Sequence, residues 1–401
     1  MRRRGTSVLL ALTLVIPALV GLTQARASAD VTVPPVLTET FLPSTVVVGQ
    51  TTTVIFTVTN PNATQNLTGV NFTDMLPPGL TVVSPGAVVV PATGCELFPN
   101  APIGGSSIKL LPNSIVGAGL SCDFEVAVQA TQVGSLVNTT GTITSDGPEI
   151  GNAATATLNV IESTTTTVTV SPAHPRFGQP VTFTATVTPG GSTGLHPTGT
   201  VSFFLNGSTT SIAVVPLNSR GKAKFTTAAL PEGVNTVTAI YSGDINFGPS
   251  ATTTEASTTV SCTRTITGTH TGSLTLGPGS TCIVDATING SIVVPAGSSL
   301  DLEGSKVTGS VTATGGTPAL RMCGSSASSV TVENANGFVV VGDPGDGCAP
   351  NTLSGSLVLV DNAGGVQAIG NTVGGTVTAT GNTGAGPFPD DTGVDISGNG
   401  H

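Results

Sequence analysis

PTGTVSFFLNG (Pro197–Gly207) and LPEGVNTVTAIYSGDINFGPS (Leu230–Ser250) decide how this chain folds. Thr200 to Leu205 and Thr236 to Tyr241 alternate apolar and polar side chains with a period of two, the pattern of a half-buried strand. Asn206-Gly207 and Ser242-Gly243-Asp244 punctuate them with turn residues. Val181 to Val187 and Ala223 to Thr227 carry the same alternation, so a domain of short antiparallel strands is expected. Tyr241, the only tyrosine, is expected to fill its core and to seek a partner for its hydroxyl. Asp244 is expected to cap the following turn through its own backbone. A calcium role there would need six to eight oxygens, and few lie nearby in sequence.

Over 401 residues the chain suits two to four domains, because single cores rarely grow past roughly 250 residues. Gly (52) and Pro (28) make up a fifth of it, while only 8% of residues are charged and 3% aromatic. β-Branched residues with Gly and Pro punctuation favour strands over helices, so the expected class is all-β. Arg2 to Arg4, the apolar run Val8 to Leu22 and Ala27-Ser28-Ala29 fit a secretory signal over residues 1–29, with cleavage before Asp30. A retained anchor helix is the alternative, but the apolar run is short for a span. No other apolar stretch reaches the length of a spanning helix, so the cleaved protein is expected not to cross the membrane. The C-terminal GVDISGNGH lacks an LPxTG-type sorting signal, which points to a released or non-covalently held extracellular protein.

Cleavage removes four arginines and leaves eight basic residues against 22 acidic ones, a formal charge of −14. Such a surface repels phosphate backbones, which excludes nucleic acid as a partner. Six cysteines in an exported chain read as disulfides, and their spacing does not fit zinc. Cys95 and Cys122 flank a loop in one segment and are expected to pair, free buried thiols being the alternative.

The stretch 197–250 resembles the bacterial Ig-like repeat (group 3 type) of long surface proteins, in which such repeats act as spacers. The preceding segment has Val58-Thr59-Asn60, Thr73-Asp74 and Leu76-Pro77-Pro78-Gly79-Leu80, and resembles the DUF11-like Ig-fold repeats of bacterial surface proteins. The local chemistry agrees: Pro77 and Pro78 should close a strand, with Gly79 free to take a positive φ. These readings place one Ig-like β-sandwich at 30–162 and a second at 163–261, with the polar run Ser163 to Thr167 as a linker. Each has its own alternating pattern, so a fragment from Asp30 to Ser261 is expected to unfold in two separable transitions.

From Cys262 to His401 a different rhythm takes over. Leu274, Ile292, Val311, Val330, Leu357, Val377 and Ile396 occupy equivalent places in a recurring unit, at separations of 18, 19, 19, 27, 20 and 19 residues. A period near 20, with a Gly before each short alternating strand, is the signature of a β-solenoid whose coils bury their inward side chains by stacking. Ile283, Leu302, Leu320, Val339 and Val366 fall about halfway between, which gives each coil at least two faces. Another sandwich is the alternative. Asn371 to Gly375 and Ser397 to Asn399 resemble turns of right-handed parallel β-helix proteins. The assignment for 262–401 is therefore a parallel β-helix. Cys262 and Cys282 lie one period apart and should bridge adjacent coils, whereas Cys323 and Cys348 flank the long interval and should tether its inserted loop, Gly342 to Leu353.

Polysaccharide lyases and hydrolases resemble this architecture, so a glycan-active enzyme in the β-helix is the rival reading. Its basic residues, Arg264, Lys306, Arg321, His270 and His401, are scattered. Hydrolysis needs two facing carboxylates, and the candidates are Asp285, Asp301, Asp361, Asp390, Asp391 and Asp395. Asp343 and Asp346 sit in a Gly-rich loop that reads equally as a calcium turn or an ordinary one. The chain has no Trp, which disfavours sugar stacking. Outward positions of the repeat, Thr275, Val293, Thr312, Thr331, Val358 and Thr378, form a column resembling ice-binding solenoids, although Thr is also the common answer for an exposed strand. No catalytic residue, metal ligand or cofactor is assigned. The expected function is that of a secreted, non-catalytic surface or matrix protein, whose sandwiches present the β-helix for adhesion or display to an extracellular protein or glycan.

Overall fold

The computed structural model describes residues 33–89, 93–191, 194–388 and 393–400. The signal at 1–29 and the candidates Asp390, Asp391 and His401 lie outside them. Among the described residues every regular element is a β-strand. Two sandwiches and a parallel β-solenoid follow one another, as the strand patterns require.

In the first sandwich Thr51–Thr59 lies between Val36–Leu42 and Ser121–Ala130, both antiparallel to it. Strict alternation turns Val54, Phe56 and Val58 inward. Facing them, Leu67–Met75 pairs with Ser107–Val116 and Gly134–Thr139 pairs with Thr155–Ile161. Phe56 stacks on Phe124 at 4.9 Å between centroids and meets Phe72 at 5.3 Å, so the rings join the two layers. Gly79 sits at φ +98° in a turn closed by Leu80 N–H to the Pro77 carbonyl (3.2 Å). Cys95 bridges to Cys122 with Cα atoms 5.8 Å apart.

The second sandwich packs the sheet of Thr164–Ser171, Val181–Pro189 and Lys222–Thr227 against one built on Thr200–Leu205 and Gly233–Tyr241. Phe183, Phe203, Phe225 and Tyr241 fill its centre, and Tyr241 is fully buried. Burial first, and the nearby Asp244 carboxylate second, push the Tyr241 phenol above its ordinary range. Residues 163–167 do not form a linker. Thr164–Ser171 is a single strand, because threonine suits a pleated surface and two of its inward hydroxyls find partners: Thr164 donates to Gly248 O (2.8 Å) and Thr166 shares a bond with Ser250 Oγ (2.7 Å). Glu162 is drawn into the same junction, since its N–H donates to Asn246 O and its carbonyl accepts from Gly248 N–H.

Each solenoid coil has three faces. The first runs through residues 281–284, Ser298–Glu303, Ala319–Cys323, Phe338–Val341, Val366–Gln367 and Val394–Asp395. The second runs through residues 287–288, Lys306–Val307, Ser326–Ala327, Thr352–Leu353 and Thr372–Val373. The third stacks Leu274–Thr275, Ile292–Val294, Val311–Thr314, Val330–Glu333, Leu357–Val360 and Val377–Thr380. Leu274, Ile292, Val311, Val330, Leu357 and Val377 are direct register partners, as the period requires. Ile396 does not join them. After Thr380 the chain runs through a longer excursion and resumes on the first face, where Val394 pairs with Val366.

Buried polar ladders hold the corners. Ser305, Ser325, Asn351, Asn371 and Asn399 each accept the backbone N–H of the rung before, Ala286 to Asn371 in turn, at 2.9–3.0 Å. Asn371 also accepts from Asn351 Nδ2 (3.0 Å) and donates to Val341 O (2.6 Å). Cys262 bridges to Cys282 and Cys323 to Cys348, with Cα separations of 5.8 and 4.9 Å. The second bridge secures the inserted loop, which Asp343 and Cys348 close through reciprocal backbone bonds. Asn371→Ala is expected to lower stability by about 1–3 kcal/mol for each buried group left unpaired, measured by denaturant unfolding.

Candidate functional site

The first face of the solenoid is buried on both sides over its middle strands. Ser298–Glu303, Ala319–Cys323 and Phe338–Val341 show almost no exposed position, whereas a strand with one wet side would alternate. Their outer side lies under the second sandwich. Phe177 of that sandwich meets Phe338 edge-on at 6.1 Å between centroids. Cys282, Ala319, Cys323, Phe338, Val340 and Cys348 are continuous with the sandwich core of Phe183, Phe225 and Tyr241.

Within this joint sits an ion cluster. Arg321 Nη1 donates to Asp301 Oδ1 (3.0 Å) and to Glu303 Oε2 (2.9 Å). Asp301 Oδ2 accepts the backbone N–H of Glu232 from the sandwich (3.0 Å), and Glu232 Oε1 accepts the Thr265 hydroxyl (2.5 Å). Arg321 and Asp301 are almost wholly buried, while Glu303 is partly exposed. Burial raises the Asp301 pKa against the opposing pull of Arg321, and the two carboxylates hold Arg321 above its ordinary value despite its own burial. A cleft of about 380 Å³ opens beside the cluster, lined in part by Leu205, Ile212, Pro231, Glu303, Arg321 and Asp346.

The third face is free. Thr275, Val293, Thr312, Thr331, Val358 and Thr378 are register neighbours in one column across six strands. At about 4.8 Å per rung the column is about 24 Å long. On the second face Thr287, Lys306, Ser326, Thr352 and Thr372 form another column, beside a groove of about 360 Å³ that Asp285 and Lys306 help to line.

The four described candidate carboxylates lie apart. Asp285 and Asp361 occupy different corners, each at positive φ and lying over a glycine of the next coil, Gly304 and Gly381. Asp301 belongs to the joint, and Asp395 stands four rungs along the same column, about 19 Å away. Arg264 is exposed at the start of the first coil and His270 follows on the same strand. Among the described residues no three His, Cys, Asp or Glu side chains are grouped to hold a metal. Asp244 caps its own turn by accepting from Asn246 N–H (2.8 Å) and Phe247 N–H (2.9 Å), and also accepts twice from Thr198. Partial burial alone would raise its pKa, but these bonds outweigh it and hold the carboxyl below its ordinary range.

Sequence patterning did not bring Asp301, Glu303 and Arg321 together, nor did it single out a buried trio in the first sandwich, Glu39, Asp74 and Asn138. The signal for the trio was parity: each occupies a place where alternation calls for an apolar side chain.

Two family models match stretches of the chain. Residues 35–160 match the model of a domain of unknown function, DUF7933, and residues 168–261 match the bacterial Ig-like domain (group 3). The DUF11-like name for the first segment is not confirmed. No curated protein matches the chain at a significant level. Among solved structures, it is similar to the major pilin subunit BcpA of Bacillus cereus at 9% identity, over 51% of this chain and 58% of that one, with a TM-score of 0.24. The major pilin SpaD of Corynebacterium diphtheriae is 12% identical over 52% and 56%, with a TM-score of 0.26. The Yersinia pseudotuberculosis adhesin InvE is 16% identical over 55% and 58%, with a TM-score of 0.22. The chain spans less than two thirds of each of these proteins, and at such TM-scores the likeness carries no argument about its function. Among the described residues no helix is long and apolar enough to cross a membrane.

Arg321→Met is expected to destabilise the protein by about 3–5 kcal/mol, because it strands the buried Asp301 carboxylate. Adding Asp301→Asn should recover part of the loss, as read from denaturant midpoints.

Proposed function

We infer that this is an exported, non-catalytic surface or matrix protein that displays a β-solenoid for adhesion or structural contact. The observation that carries the reading is the division of the solenoid's faces. One is clamped under the second sandwich, and the third presents a continuous column of threonine and valine side chains. Clamping fixes the direction in which the free face points, which suits presentation of a surface. The separation of the four described carboxylates supports a binding role over glycan cleavage, which needs two of them across one substrate. Export rests on the basic and apolar N-terminal pattern, and the bacterial Ig-like match agrees with a surface setting. The composition points to a protein or glycan partner held through hydroxyl and methyl contacts, because stacking aromatics are scarce.

The mature chain, immobilised on glycan and matrix-protein arrays, tests this reading. A Thr312→Lys/Thr331→Lys variant places two charges in the centre of the column and should lose at least about 90% of the bound signal while keeping the wild-type melting profile. Retention of full binding by the variant, or release of sugar fragments by the wild type, would contradict it.

A further inference from the structure

The inward row of Val36–Leu42 reads Leu37, Glu39, Phe41, so a carboxyl stands where a core side chain belongs. Across the sandwich, the inward row of Leu67–Met75 ends Val70, Phe72, Asp74, and that of Gly134–Thr139 contains Asn138. The three polar side chains meet. Asn138 Nδ2 lies 2.5 Å from Glu39 Oε1 and 2.8 Å from Asp74 Oδ2, and all three residues are at least nine-tenths buried.

Both amide hydrogens of Asn138 are used by those two contacts. Glu39 Oε2, Asp74 Oδ1 and Asn138 Oδ1 are then three buried acceptors without a hydrogen-bond partner. With both carboxyls ionised, the cluster would hold two like charges and three bare oxygens inside an apolar core, an arrangement that costs far more than it returns. A proton on either carboxyl removes one charge and supplies a missing donor. Were the amide turned, its oxygen would face both carboxyls, at 2.5 and 2.8 Å, and each would then have to carry a proton to donate to it. A metal ion fits less well. Oxygen ligands stand about 2.3–2.6 Å from calcium, so contacts of 2.5 and 2.8 Å between the groups themselves leave no room between them.

We propose that Glu39, Asp74 and Asn138 form a proton-held latch that fastens the strand Val36–Leu42 to the opposite layer, closed when the cluster carries a proton and loosened when it does not. Among the described residues of the strands around it, no other ionisable group faces it. Thr51–Thr59, Gly134–Thr139 and Thr155–Ile161 carry none. Lys109 is exposed, alternating with the buried Ile108 and Leu110, and Asp123 and Glu125 alternate with the buried Phe124 and Val126 on the outer side of their strand. Burial, chiefly, with the Asp74 charge adding to it against the Asn138 hydrogen bond, raises Glu39 from 4.5 to about 7. Burial likewise raises Asp74, opposed chiefly by its hydrogen bond from Asn138. For acids whose pKa is raised by folding, the stabilisation is complete below the ordinary value and is lost as pH climbs through the folded one. The latch therefore weakens between about 4.5 and 7 and changes little above that range.

Hydrogen–deuterium exchange of the mature chain, corrected for intrinsic rates, tests the proposal. Opening of residues 36–42 in the wild type should rise with pH between 5 and 7, by up to roughly tenfold per unit, then level off. Glu39→Gln should flatten that profile and leave the strand better protected than wild type at pH 8. Asp74→Asn should flatten it in the same way, so the proposal stays testable if one variant folds poorly. A wild-type profile that is flat across this range, or variants that keep the wild-type slope, would overturn it. Protection at pH 8 that tracks added calcium or sodium would also overturn it, in favour of a metal-held cluster.

Discussion

Burial of the solenoid's first face beneath the second sandwich sets which surfaces of this protein are free, because a parallel strand stack with both sides covered has no other place to keep Ala319, Phe338 and Val340 dry. The consequence reaches both modules. A solenoid without the sandwich would expose an apolar flank, and a sandwich without the solenoid would leave Phe177 unpacked. The expectation of two sandwiches that fold independently of the C-terminal segment accordingly meets an interface in which the second core continues into the solenoid. Arg321 and Asp301 add orientation to this apolar contact. A buried, hydrogen-bonded ion pair tolerates few relative positions of the groups around it, whatever its net effect on stability.

Within the solenoid, stacking depends on the polar ladders as much as on the apolar filling. Every rung turns its backbone through three corners, and N–H groups there would be left unpaired in the interior without a side-chain acceptor. Ser305, Ser325, Asn351, Asn371 and Asn399 provide it, one per coil, and the asparagines also donate to carbonyls of preceding strands. The inserted loop at Gly342–Leu353 lengthens one coil without breaking the ladder, because the Cys323–Cys348 bridge and the Asp343–Cys348 pairing return the chain to the register of Asn351. The second and third faces keep one side uncovered.

Much of this was legible in the sequence. Spacings of 18 to 20 residues between Leu274 and Val377, with one interval of 27, gave the register of the third face, because each coil repeats the same inward place. The cysteine pairs of the solenoid followed from the same period. Ile396 broke the rule since a period alone does not say on which face a chain resumes after an excursion. Residues 163–167 read as a linker because the run is polar, yet consecutive threonines with neither Gly nor Pro among them make a good strand. The joint was the least legible part. Asp301 and Arg321 belong to the solenoid, but Asp301 is satisfied partly by the backbone N–H of Glu232, and a contact between modules leaves no periodic trace. The near absence of alternation in SSLDLE, ALRMC and FVVV was the available clue, since strands wet on one side alternate and these do not.

The clamped joint is the central claim, and a double-mutant cycle across it tests that claim most directly. Phe177→Ala and Phe338→Ala, singly and together in the full chain, are compared by denaturant unfolding. Aromatic pairs in contact couple by about 0.5–1.5 kcal/mol, so the double variant should lose less than the two single losses combined. Strict additivity, with Phe177→Ala moving only a sandwich transition and Phe338→Ala only a solenoid transition, would show that the two modules do not share a core.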